Sequence, residues 1–185
     1  MTARANALPV TRDPSLLGIG LFIASESLFF LGIVIAYVVF REQGLATAKA
    51  QLDVGRTATF SVLLFASSGT VGLAVARRSR AWLALTAVFG AVFLGGQTME
   101  YARLLAAGLR PGSELFGTTF FTLTGLHALH VLVGLVLLAT LFAAATARPR
   151  RMGPAAWEGI GLYWHFVDAV WLVVFSIVYV GTAIA

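Results

Sequence analysis

Residues 16–40 read LLGIGLFIASESLFFLGIVIAYVVF, a continuous apolar run broken by a single ionisable side chain, Glu26. A bilayer core about 30 Å thick is crossed by roughly 20 helical residues, so this run is long enough to span. Four more runs of the same kind follow, Thr57–Ala76, Trp82–Ala107, Thr118–Ala145 and Gly159–Ala183. Backbone N–H and C=O groups cannot stay unpaired in hydrocarbon, which leaves helices or a closed barrel. Barrel strands would show as alternating segments of about 10 residues, and these runs do not alternate. The sequence predicts an all-α membrane protein, a bundle of five transmembrane helices within residues 16–185, preceded by a polar segment at residues 1–15.

The rest of the chain agrees with that reading. Of 185 residues, 59% are apolar and 11% charged, where a soluble domain carries about 25% charge. This excludes an ordinary soluble enzyme and a disordered chain. The absence of cysteine excludes disulfides, thiolate metal centres and cysteine nucleophiles. Met1–Ser15 contains Pro9, Asp13 and Pro14 ahead of a run too long for a signal h-region, so we expect it to be retained rather than cleaved. The pI of about 10.4 does not point to nucleic acid, because the arginines sit in short clusters between apolar runs. They set orientation instead. Arg4, Arg12, Arg77, Arg78, Arg80, Arg148, Arg150 and Arg151 fall on one side of the membrane, and Arg41, Lys49, Arg56, Arg103 and Arg110 on the other. The richer side is expected in the cytoplasm, with the N-terminus there and the C-terminus outside.

Ionisable residues inside spans are costly and call for an account. Glu26 lies near the middle of the first span. It reads either as a proton-exchanging or lipid-facing acid, or as a structural hydrogen bond to another helix. His127 and His130 in the fourth span, and His165 and Asp168 in the fifth, are each spaced i, i+3 and share a helix face. With Glu26 these residues form either a polar cluster joining the first, fourth and fifth spans, to which Thr122 and Thr124 add hydroxyls, or a metal site. No segment carries a recognised ligand signature, so we expect no metal. Gln97, Glu100 and Tyr101 form a polar motif toward the outer end of the third span, where Glu100 can reach either water or Arg103 one turn on. Trp82, Tyr101, Trp157, Tyr163 and Tyr179 lie near run ends, as interfacial anchors would. Ser68 and Gly72, four apart, suit close helix contact.

Three stretches together resemble subunit III of the haem-copper (cytochrome c) oxidases. They are GLFIASESLFF at 20–30, GTTFFTLTGLHALHVLVG at 117–134 and YWHFVDAVW at 163–171. Gln97, Glu100 and Tyr101 fit the same pattern. The resemblance implies a multi-pass accessory subunit in the plasma membrane of a bacterium. It would lack redox centres and catalytic residues of its own, pack against oxidase subunit I beside subunit II, and contact membrane phospholipid. The haem and copper of the proton-translocating enzyme would sit in the partner subunits. The family's intramembrane acid, linked to sustained proton uptake and to the site facing subunit I, maps to Glu26, and a neutral, buried acid there is expected to react with an apolar carbodiimide. Many members have seven helices and a lipid cleft beside the first two, so the five-helix chain alone is not expected to form that cleft. Ile35 and Val39 stand where longer members often have Trp and His. The resemblance also leaves open a quinol oxidase subunit III or a nitric-oxide-reductase-associated homologue. From the residues alone, a standalone proton- or metal-coupled transporter is the alternative of a different class.

Overall fold

The computed structural model describes residues 14–112, 114–148 and 152–184. All secondary structure among them is helical. Helix α1 (Pro14–Phe40) passes through a 3-10 turn, Arg41–Gly44, into a short helix α2 (Leu45–Gln51). Helices α3 (Val54–Arg77), α4 (Arg80–Ala106) and α5 (Leu115–Ala147) follow. Helix α6 (Pro154–Phe175) continues through a π turn, Ser176–Val180, into α7 (Gly181–Ile184). Five of these units, one of them α1 with α2 and another α6 with α7, are long and apolar enough to cross a membrane. The first and last spans therefore extend beyond the apolar runs at 16–40 and 159–183. Of the polar segment at residues 1–15, only Pro14 and Ser15 fall within the described residues. Arg4, Arg12, Arg150 and Arg151 lie outside them too.

Local chemistry sets the helix ends. The Asp53 carboxylate accepts the Arg56 N–H at 3.0 Å and caps α3. Only Arg78 and Ser79 separate α3 from α4. Arg78 takes a left-handed conformation, φ 46°, and the Ser79 N–H returns to the Ala74 carbonyl at 3.1 Å. Gly108, φ 92°, ends α4 the same way, with the Leu109 N–H on the Leu104 carbonyl at 3.0 Å. Pro154 opens α6 at a position where its missing N–H costs nothing.

The last span is the centre of the bundle. Helix α6 packs against α1, α3 and α5, and its buried residues include Trp157, Tyr163, Trp164, Asp168 and Trp171. Helix α1 buries only Phe30, Val34 and Tyr37. Lipid is as apolar as a leucine side chain, so helices in a membrane associate through close packing and hydrogen bonds rather than hydrophobic burial. Both means operate on α6. The Trp164 ring lies between Gly90 of α4 and Gly134 of α5, and a Cβ at either glycine would come within 2.5 and 2.9 Å of it. Trp164 Nε1 donates to Ser67 Oγ, and Trp171 Nε1 to Ser61 Oγ, each at 2.8 Å. The order along the two chains, 164 to 67 and 171 to 61, makes α6 antiparallel to α3. Trp157, Tyr163 and Tyr179 are thus interior residues, 3%, 6% and 0% exposed, rather than the interfacial anchors their place near run ends suggested. Gly72 faces open space instead of a close helix contact.

Ser61→Ala leaves the Trp171 N–H unpaired in an apolar interior, a loss of about 1–3 kcal/mol. Thermal denaturation of the detergent-purified protein should show it as a lowered midpoint. Thr59→Ala, an exposed change on the same helix, should leave the midpoint near that of the unaltered chain. An equal drop in both variants would mean that the Ser61–Trp171 bond is not what Ser61→Ala removes.

Candidate functional site

Glu26 projects from α1 toward α5, where its Oε2 lies 3.3 Å from His130 Nε2. The two side chains are 22% and 12% exposed. His130 Nδ1 lies 2.9 Å from the Leu126 carbonyl. A carbonyl only accepts, so Nδ1 carries a proton. Nε2 is thus the ring nitrogen turned toward the Glu26 carboxyl. Phe30 and Phe166 meet the His130 ring edge-on, at centroid distances of 5.0 and 6.3 Å. The Tyr163 hydroxyl donates to the His130 backbone carbonyl at 3.1 Å. Just outward, Ser27, Phe30 and Val34 of α1 and Phe166, Ala169 and Val173 of α6 line an apolar groove of about 260 Å³.

The other polar residues of these spans go elsewhere. His127 is fully buried, stacked on Trp171 at 4.7 Å and edge-on to Phe93 at 5.8 Å, with neither ring nitrogen hydrogen-bonded. Three residues of helix separate His127 from His130, which leaves their directions about 60° apart. That is enough for one to face α1 and the other the interior. His165 is exposed, and its Nδ1 shares a 2.7 Å hydrogen bond with Ser68 Oγ of α3. Asp168 lies beside the same Ser68 hydroxyl. That hydroxyl is taken by His165, and neither Asp168 oxygen has a hydrogen bond of good geometry. The five residues expected as one cluster therefore form three sites: Glu26 with His130, His127 alone in an aromatic cage, and Asp168 with His165 at the α3–α6 seam. No group of three or more His, Asp or Glu able to hold a metal ion occurs among the described residues.

The Gln97–Glu100–Tyr101 motif is a helix clamp. Glu100 is 3% exposed and accepts from Arg103 Nη2 at 2.5 Å and Nε at 3.2 Å. Arg103 Nη2 also donates to the Gln51 backbone carbonyl, tying α4 to α2. Tyr101 donates to Thr124 Oγ1 of α5 at 2.7 Å. Gln97 lies with Thr57 of α3 and the Tyr179 hydroxyl in the same buried end. At the opposite end Arg80 donates to Thr146 at 3.3 Å. Sequence reasoning passed over Ser61 and Ser67, whose signal was a row of hydroxyl residues, Thr57, Ser61, Ser67 and Ser68, on an otherwise apolar helix.

Fold and site together define a multi-pass helical membrane protein that holds a mid-span acid against a histidine and offers no metal-binding group among its described residues. The chain belongs to the cytochrome c oxidase subunit III family, whose family model matches residues 7–183. It is 32% identical over 181 residues to cytochrome c oxidase subunit 3 of Corynebacterium diphtheriae, covering 90% of this chain and 88% of that one. Identity to cytochrome c oxidase subunit 3 of Synechocystis sp. is 35% over 179 residues, 90% of this chain and 76% of the relative. Cytochrome bo(3) ubiquinol oxidase subunit 3 of Pseudomonas aeruginosa is 30% identical over 177 residues, 90% of this chain and 85% of the relative. The chain is a multi-pass protein of the bacterial plasma membrane and an accessory subunit of a haem-copper oxidase complex.

Proposed function

We propose that this chain flanks the oxygen-reducing subunit I of a cytochrome c oxidase, beside subunit II, and carries no redox centre of its own. The enzyme's haem and copper belong to its partners, and the chain contacts membrane phospholipid. Residues 16–185 act as one five-helix unit, oriented with the N-terminus in the cytoplasm. The observation that carries the reading is the Glu26–His130 pair. A carboxyl held at mid-span beside a histidine can pass a proton to the ring and take it back with no change in the pair's net charge in hydrocarbon. Glu26 is accordingly the acid that supports proton uptake. His127, His130, His165 and Asp168 orient the helices around it, and the Gln97–Glu100–Tyr101 motif fixes the outer end.

Two measurements test this. Purification in mild detergent through a tag on this chain should bring down a haem- and copper-bearing partner. Recovery of the chain alone from intact membranes would count against the reading. An apolar carbodiimide should label the chain at Glu26, and Glu26→Gln should remove at least nine-tenths of that label. Full labelling of the variant would move the reactive acid elsewhere. The similarity to a ubiquinol oxidase subunit favours a second reading in which the donor is quinol. Optical spectra of the purified complex separate the two: a copper-A or haem c signal marks cytochrome c as donor, and its absence marks quinol.

A further inference from the structure

His165 is exposed in the middle of α6. The other mid-span ionisable groups are sheltered: His127 is 0% and Asp168 5% exposed, and the His130 and Glu26 side chains are paired. Among the described residues Ser68 is the hydrogen-bonding partner of His165, through Nδ1. The exposed ring puts its second nitrogen, Nε2, within reach of a group outside this chain. Asp168 stands behind, its carboxyl against Ser68 and both oxygens without a well-formed hydrogen bond. The seam between α3 and α6 thus gathers three polar side chains at a depth where lipid supplies no hydrogen bond. Acyl chains have none to give, and headgroups lie at the membrane surface, half a bilayer away.

The surface beside His165 is shaped for a helix. On α3, Gly72 lies one turn beyond Ser68 and faces open space. A small residue there lets a second backbone approach closely. Ala169, one turn beyond His165, continues the low surface on α6. The outward faces of α4 and α5 carry Val88 and Val136 at similar depth and no exposed ionisable side chain there among the described residues.

We infer that the α3–α6 face is where the catalytic partner subunit docks, through a transmembrane helix bearing a polar side chain at mid-membrane depth that hydrogen-bonds to His165 Nε2. This rests on the subunit III reading. The test uses the complex purified from membranes through a tag on this chain, with the photo-crosslinker p-benzoylphenylalanine placed at Gly72 or Ala169, and at Val88 or Val136 as controls. Gly72 and Ala169 should give a covalent adduct with the haem-bearing partner, at least fivefold more than the controls. His165→Leu should lower co-purified haem per chain at least threefold, and His165→Asn, which keeps a hydrogen-bonding side chain, should restore most of it. Adducts to the partner from Val88 or Val136 in place of Gly72 and Ala169 would overturn the docking face while leaving the subunit III reading intact. So would adducts to lipid alone, or to a second copy of this chain. Failure of the unaltered chain to bring down any haem protein would overturn both.

Discussion

Gly90→Leu should prevent the five-helix bundle from assembling. A Cβ at residue 90 would lie 2.5 Å from the Trp164 ring, and that ring is fully buried with its Nε1 held by Ser67. It cannot retreat toward α5, because Gly134 leaves only the thickness of a glycine there. Even Gly90→Ala forces overpacking of about 1–3 kcal/mol. The leucine side chain adds three more carbons to a space that has no room for the first. The variant should accumulate in membranes at a small fraction of the normal level. Any purified remainder should denature at a lower temperature than the unaltered chain. A paired change, Gly90→Leu with Trp164→Ala, removes the obstructing ring and should recover part of the yield. Normal accumulation of Gly90→Leu alone would mean that α4 and α6 do not meet at this point.

Arg103→Ala should be nearly as damaging, for an electrostatic reason. The Glu100 carboxylate is almost wholly buried, and Arg103 is the cation hydrogen-bonded to it. Removing Arg103 leaves the buried carboxylate without its cation; because the Arg103 side chain is itself 36% exposed, the loss should fall below the roughly 3–5 kcal/mol of a fully buried pair. It also frees the Gln51 carbonyl, so α2 loses its tie to α4. The discriminating experiment is the double variant Arg103→Ala with Glu100→Gln. With no charge left to bury, it should recover more than half of the stability lost in Arg103→Ala, measured as the thermal midpoint in detergent. A double variant no better than the single would show that the guanidinium acts through Gln51 rather than through Glu100.

The spans and their number were legible because hydrocarbon imposes one rule on every segment: apolar side chains over a fixed length, with backbone groups paired internally. Glu26 was legible for the converse reason, as a charge in a run that tolerates none. What the sequence did not disclose was direction. His127 and His130 look alike on a helical projection, yet one faces an aromatic cage and the other an acid. The difference lies in which neighbours α5 meets, and that depends on helices distant in the chain. Tyr163, Trp157 and Tyr179 have the composition and position of interfacial anchors, and only the central place of α6 turns them inward. The extension of the first span through Arg41–Gly44 into α2 was hidden because polar residues there read as a loop. Arg103 reaching back to Gln51 makes that turn part of the fold.

The helix that occupies the middle of the bundle is the last to be made. Helix α1 packs on α5, and α3 on α4, without it, but α1 and α3 share no substantial junction of their own. Without α6, Gly90, Gly134, Ser61 and Ser67 line the space that Trp164 and Trp171 fill. A chain cut short before Pro154 would therefore lack both tryptophans that tie α6 to α3 and the ring that lies between α4 and α5.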